Sequence, residues 1–161
     1  MDDLNGENNI WLFIVSMLCF GAVGAALVSQ HVYGYQPCAW CVLQRIIFLS
    51  IGLISLIGFI TKTNIVTPIF SVLLACIGQF VAVYQFFVAS KSFDCSLSFA
   101  EKFITSLSLD KIIPGLFEIR AMCADASAPL MGISYEIWSY SAFLLVSILS
   151  VIAYINRHRF Y

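Results

Sequence analysis

Four apolar stretches dominate the sequence, and each is long enough to cross a bilayer as a helix, which takes about 20 residues. They run from Ile10 to Val28, Cys41 to Ile60, Ile65 to Ala89 and Ile137 to Ile155. A chain that is 61% hydrophobic and 11% charged over 161 residues cannot hide so much apolar surface in a small soluble core. The expected fold is an all-α membrane protein, a single domain built as a four-transmembrane-helix bundle with lipid as its solvent. A formal net charge of −1 and the lack of a basic cluster argue against a nucleic-acid partner, whose phosphates would need one. No Gly-rich phosphate loop is present.

The connections differ in kind. Helices 2 and 3 are joined by Thr61–Asn64 alone, which predicts a tight antiparallel hairpin. Residues 29–40 join helices 1 and 2. Residues 90–136 join helices 3 and 4, the only segment large enough to meet a soluble partner. Within it, Phe99, Phe103, Ile104 and Leu107 recur at helical spacing. They predict a short amphipathic helix, lying on the headgroups or packed on the bundle top. Pro114-Gly115 reads as a turn. Gly21, Gly24, Ala25 and Ala26 give helix 1 a small-residue face, read as a packing face. The N-terminal nine residues carry acids and no Lys or Arg, unlike a signal peptide, so the first helix is expected to be retained.

Four spans put both termini and the 61–64 loop on one side and the two longer loops on the other. Lys62, Arg157 and Arg159 lie on the first side in short segments. The positive-inside rule therefore favours cytoplasmic termini. Cysteine placement chooses the same orientation. Cys38, Cys41, Cys95 and Cys123 all lie in or beside the two longer loops, where an extracytoplasmic location would let disulfides persist. Cys19 and Cys76 fall inside helices 1 and 3 and read as small apolar side chains.

Cys38-Ala39-Trp40-Cys41 is a C-x-x-C. The following residue is Val42, not the His of a c-type haem site. Cys95 and Cys123 are 28 positions apart, wrong for the second half of a four-cysteine zinc site, so no metal is expected. Two inert staples remain one reading, which would make the chain a non-enzymatic four-helix adaptor. Arg45 favours redox chemistry instead. It lies one helical turn after Cys41, on the same face. A charge inside a membrane helix marks a functional site unless it snorkels to the headgroups. The helix N-terminus and the guanidinium both favour a thiolate at Cys41, the reactive form of cysteine. Gln44 adds a polar group at the same depth. Such a site suits a hydrophobic electron acceptor, with Arg45 holding a quinone carbonyl oxygen.

The run Pro37-Cys38-Ala39-Trp40-Cys41-Val42-Leu43-Gln44-Arg45 resembles the motif of the disulfide-bond-formation protein B (DsbB) family. The pair Cys95 and Cys123, Leu109-Asp110-Lys111, Phe117, Gly132 and Trp138 are also similar to family positions. The likeness covers nearly the whole chain. Late in helix 3, where members often carry His and Gln, this chain reads Tyr84-Gln85-Phe86-Phe87-Val88-Ala89. The resemblance therefore assigns no quinone contact to that helix. It implies a multi-pass protein of the bacterial inner membrane. A periplasmic thioredoxin-fold dithiol oxidase of the DsbA type would be its partner, and ubiquinone or menaquinone its cofactor. Electrons would enter at Cys95–Cys123 through Cys95, pass by a transient Cys123–Cys38 bond to Cys38–Cys41, and leave from Cys41 beside Arg45. Partners of that type have a potential of about −120 mV, so a membrane quinone suits them better than glutathione. In vitamin K epoxide reductase relatives, the loop pair precedes the membrane C-x-x-C; here it follows.

Overall fold

The computed structural model describes residues 3–61, 66–88, 99–108, 113–121, 129–130 and 132–158. Four long helices carry the fold: α1 (Asp3–His31), α2 (Ala39–Ile60), α3 (Val66–Phe87) and α6 (Tyr135–His158). Between α3 and α6 lie α4 (Phe99–Ser106), the single turn α5 (Pro114–Phe117), and a two-stranded antiparallel ladder of β1 (Pro129–Leu130) and β2 (Ile133–Ser134). Each long helix contains a 22-residue segment apolar enough to cross a membrane. At about 1.5 Å per residue, that length covers the hydrocarbon core of a bilayer.

The helix ends move from their expected places for local reasons. α2 begins at Ala39, before Cys41, because Cys38 acts as its N-cap. Cys38 is extended (φ −86, ψ 170), and its Sγ accepts the Cys41 backbone N–H at 3.4 Å. α1 continues to His31. Ser29 Oγ and His31 Nδ1 donate back to the carbonyls of Ala25 and Leu27 at 2.9 and 3.0 Å, occupying acceptors that the helix end leaves free. Pro114 starts the helical turn α5 rather than a simple reverse turn, and its missing N–H costs nothing there.

The four long helices form a ring in which α1 and α3 each pack on both α2 and α6. Phe48 of α2 and Phe143 of α6 stack at its centre, with centroids 3.8 Å apart and planes within 5°. Gly78 of α3 makes room for Phe143, since a Cβ there would run into the ring. The stacked Phe48 leaves that ring little freedom to retreat. Gly78→Ala should therefore cost about 1–3 kcal/mol through overpacking. The check is thermal unfolding of the purified protein in detergent; an unchanged Tm would show that the ring can move aside.

Several polar side chains inside the ring pair across helices, whereas Ser150 Oγ is buried with no partner among the described residues. Ser16 Oγ donates to the carbonyl of Gly52 at 3.0 Å, and the hydroxyls of Ser55 and Ser71 meet at 3.1 Å. In lipid such contacts hold helices together where burial supplies no drive. The outer faces are apolar: Leu53, Ile57, Leu73, Ile77 and Phe80 are all exposed, as a lipid-facing belt requires. The expected packing face of α1 is a correction. A Cβ at Gly21 or Gly24 meets nothing within 4 Å. Close approach occurs instead at Gly52, Gly58 and Gly78, while Ala25 and Ala26 border a cavity.

Both longer connections lie at one end of the bundle. The backbone N–H groups of Arg120 and Ala121 donate to the carbonyl of Pro37 at 3.0 and 3.3 Å. The amphipathic helix expected around Phe99–Leu107 is present as α4 (Phe99–Ser106), and one of its faces packs on the bundle top. Ala100 and Ile104 are buried, with Ile104 packed against Val42 and Phe117, whereas Phe99, Phe103 and Leu107 are bare. Gly132, with φ +82, sits in the tight connection between β1 and β2, a backbone conformation that L side chains resist. The 62–65 connection between α2 and α3 lies outside the described residues.

Candidate active site

The start of α2 buries two thiols in contact. Cys38 is fully buried and Cys41 nearly so, and their Sγ atoms are 3.1 Å apart in a hydrogen bond that either can donate. They are near enough to close into a disulfide with little movement. The hydrogen bond to Cys41 and then burial hold the Cys38 thiol well above the ordinary cysteine range. Cys38 is therefore the sulfur that keeps its proton, and the helix N-terminus leaves Cys41 to carry negative charge.

Arg45 is only 6% exposed, so it does not snorkel. Its Nη1 donates to Gln30 Oε1 at 2.7 Å and to the carbonyl of Leu116 at 3.0 Å, and Nη2 donates to the carbonyl of Ala26 at 3.4 Å. These partners are neutral. The buried guanidinium thus keeps a full positive field directed at its surroundings, a field strengthened by the low local dielectric. Leu116 belongs to α5, so the long connection closes over the arginine from outside the bundle.

Cys41, Gln44 and Arg45 share one wall of a cavity of about 220 Å³ between α1, α2 and α6. Tyr135 joins them at this polar end. Ala22, Val23, Phe48 and Ala142 make the rest apolar, and the exposed Ala25 and Trp138 form part of its rim. Ala22, Ala25 and Ala26 of α1 act here as space, while Gly21 and Gly24 do not border the cavity. Every site residue expected within α2 and its cap (Cys38, Cys41, Gln44, Arg45) is thereby brought together. Cys95 and Cys123 lie outside the described residues.

Sequence reasoning missed two members of the site. Gln85 of α3 is 1% exposed, and its Nε2 donates to Cys41 Sγ at 3.3 Å, with Cys38 Sγ at 3.7 Å. Gln44 Nε2 donates to Gln85 Oε1 at 2.8 Å, which holds the amide so that its N–H groups face the sulfurs. Glu136 of α6 is buried beside them. The available signal was a carboxamide inside a membrane span, which α3 offers twice, at Gln79 and Gln85, so the sequence did not single out position 85. Gln85→Leu removes a donor to a sulfur that carries charge, an interaction worth about 1.5–3 kcal/mol. Alkylation of Cys41 near neutral pH should slow at least roughly tenfold. An unchanged rate would show that the amide does not reach the thiolate.

The comparison with known proteins decides what such a dithiol belongs to. The family described as "Disulfide bond formation protein DsbB" matches residues 8–153. This chain belongs to the DsbB family. "Disulfide bond formation protein B" of Ralstonia nicotianae is 30% identical over 158 residues, 97% of this chain and 99% of that protein. "Disulfide bond formation protein B 1" of Pseudomonas fluorescens is 33% identical over 150 residues, 89% and 88% of the two chains. "Disulfide bond formation protein B" of Cupriavidus necator is 27% identical over 158 residues, 97% and 98%. As a DsbB family member with four membrane-capable helices, the chain is a multi-pass membrane protein of disulfide bond formation, with an oxidoreductase role in place of an adaptor's.

Proposed function

We propose that this DsbB family member re-oxidises a periplasmic thioredoxin-fold dithiol oxidase of the DsbA type and passes the electrons to quinone. The observation that carries this reading is the Cys38–Cys41 dithiol beside an open, mostly apolar cavity whose polar end holds a buried cation with no carboxylate partner among the described residues. The residues fit a quinone headgroup. Arg45 and Gln44 supply donors for a carbonyl oxygen, and the apolar walls suit a ring with a lipid tail. A bound quinone would supply an acceptor for two electrons and two protons.

The chain's own residues do the rest. In this reading Cys95 and Cys123 form the disulfide that a partner thiolate attacks, through a mixed disulfide at Cys95. Exchange then runs from Cys123 to Cys38 by thiolate attack, as all such exchange does. The hydrogen bonds from Arg120 and Ala121 to Pro37 support this step. They tie the long connection to the residue before Cys38, and Cys123 follows Ala121 by two positions in sequence. Opening Cys38–Cys41 leaves a thiol at Cys38 and a thiolate at Cys41, held by Gln85 and the field of Arg45. In the same reading the 29–40 and 90–136 loops face the periplasm, both termini face the cytoplasm, and the membrane is the bacterial inner membrane.

The test mixes purified protein with a reduced DsbA-type partner and a soluble ubiquinone or menaquinone analogue. Quinone absorbance should fall as partner thiols disappear, one quinone per dithiol. Partner oxidation that proceeds equally without quinone would reject the acceptor.

A further inference from the structure

The buried charges around the dithiol do not balance if both possible anions are present together. Glu136, in the first turn of α6, is 2% exposed. Its Oε1 accepts from Gln85 Nε2 at 3.5 Å, and its Oε2 has no hydrogen-bond partner among the described residues. The same Gln85 nitrogen reaches Cys41 Sγ at 3.3 Å and Cys38 Sγ at 3.7 Å. A carboxamide carries two N–H bonds, so three acceptors share two donors. The titratable groups around Glu136 are Cys41, which feels its charge, and Cys38 across the shared amide, with Tyr140 lining the cavity that Glu136 borders and Tyr135 next to it on its own helix; Arg45 faces Cys41 from the other cavity. α3 offers Gln85, and Gln30 of α1 uses its Oε1 on Arg45 and leaves its Nε2 without a partner among the described residues. Arg45 is the one buried cation among the described residues.

With Cys38–Cys41 closed as a disulfide, Arg45 and the Glu136 carboxylate sum to zero. A Cys41 thiolate added to that pair would leave one uncompensated negative charge in a buried site, which is strongly disfavoured. We propose that Glu136 takes up a proton when the Cys38–Cys41 disulfide is reduced and releases it on re-oxidation, so that the shared Gln85 amide faces one anion at a time. This rests on Cys38–Cys41 being the exchanging pair. The step balances. A donor dithiol gives two electrons and two protons and becomes a disulfide, while the Cys38–Cys41 bond breaks. One proton goes to Cys38 Sγ, Cys41 keeps the negative charge, and the second proton goes to the free oxygen of Glu136. Re-oxidation returns both protons with the two electrons. Glu136 is a positioning residue that acts on Cys41 through charge and through the shared amide.

The experiment uses the full chain with Cys95→Ala and Cys123→Ala, in lipid nanodiscs stripped of quinone and equilibrated against reduced and oxidised dithiothreitol. Infrared difference spectra, reduced minus oxidised, should gain the carbonyl stretch of a protonated buried carboxyl, and Glu136→Gln should lack it. The pH dependence of the equilibrium supplies a second readout that a merely structural role would not move. Dithiothreitol also binds two protons with its two electrons, so with Glu136 present the protons cancel and the exchange constant stays flat with pH while the reagent's thiols remain protonated. In Glu136→Gln only Cys38 takes a proton, one proton is released per exchange, and the constant rises tenfold per pH unit, about 30 mV. No carboxyl band, or a constant in the variant that stays flat with pH, overturns the proposal. If Glu136→Gln fails to fold, the spectrum of the chain with Glu136 intact decides alone. If alkylation shows that Cys38–Cys41 neither opens nor closes, the exchanging-pair reading fails and takes this proposal with it. Exchange without the band removes Glu136 only.

Discussion

Cys41→Ser abolishes quinone reduction by the reduced partner, down to the rate without protein. Among the described residues, the sulfur at position 41 is the one redox-capable atom that borders the cavity; Cys38 does not line it. A serine hydroxyl neither ionises near neutral pH nor carries electrons between a disulfide and an acceptor. Cys38→Ser should also stop turnover, but with a different residue of chemistry. Its Cys41 thiolate remains beside Arg45, so a single fast alkylation at Cys41 should persist in Cys38→Ser and be absent in Cys41→Ser. Stopped turnover combined with retained Cys41 labelling separates loss of the exchange partner from loss of the site. Full activity in Cys41→Ser would remove the dithiol from the reaction.

The second large effect is expected at Arg45. Arg45→Ala removes a charged donor from a buried site, a contribution of about 1.5–3 kcal/mol, and should raise the apparent quinone KM about tenfold to a hundredfold. The partner's KM should change far less, because Arg45 lies beneath α5 and away from any surface a soluble protein can touch. That split matters, since Arg45 also holds Gln30 and the carbonyl of Leu116, and general loosening would raise both constants together. Arg45→Lys keeps the charge but loses the forked donor set that serves three acceptors at once, so it should recover part of the effect. An unchanged quinone KM in Arg45→Ala would take the arginine out of the quinone site.

Architecture and half of the site were legible before any coordinates. Runs of about 20 apolar residues leave a chain one economical solution in a bilayer, because every backbone polar group must be paired within its own helix. The four spans were therefore set by local composition. Cys38, Cys41, Gln44 and Arg45 were equally readable, because one turn of helix fixes their mutual placement. The ends of helices were less so: the cap at Cys38 depends on one sulfur meeting one N–H.

What the linear chain could not reveal was which distant side chains would meet across the ring. Gln85 lies 44 positions from Cys41, and Glu136 lies 51 from Gln85, yet both close on the dithiol. The Gly21–Ala26 run has the composition of a packing face and serves as the wall of a cavity, while Gly78 looks incidental and carries the Phe143 contact. Local sequence determined that four helices would cross a membrane and that a thiol pair and a cation would share one turn. Only the tertiary structure decided which carboxamide and carboxyl would face them. Helical periodicity propagates along one element, whereas rotation and register between elements follow from packing at contacts far apart in the chain.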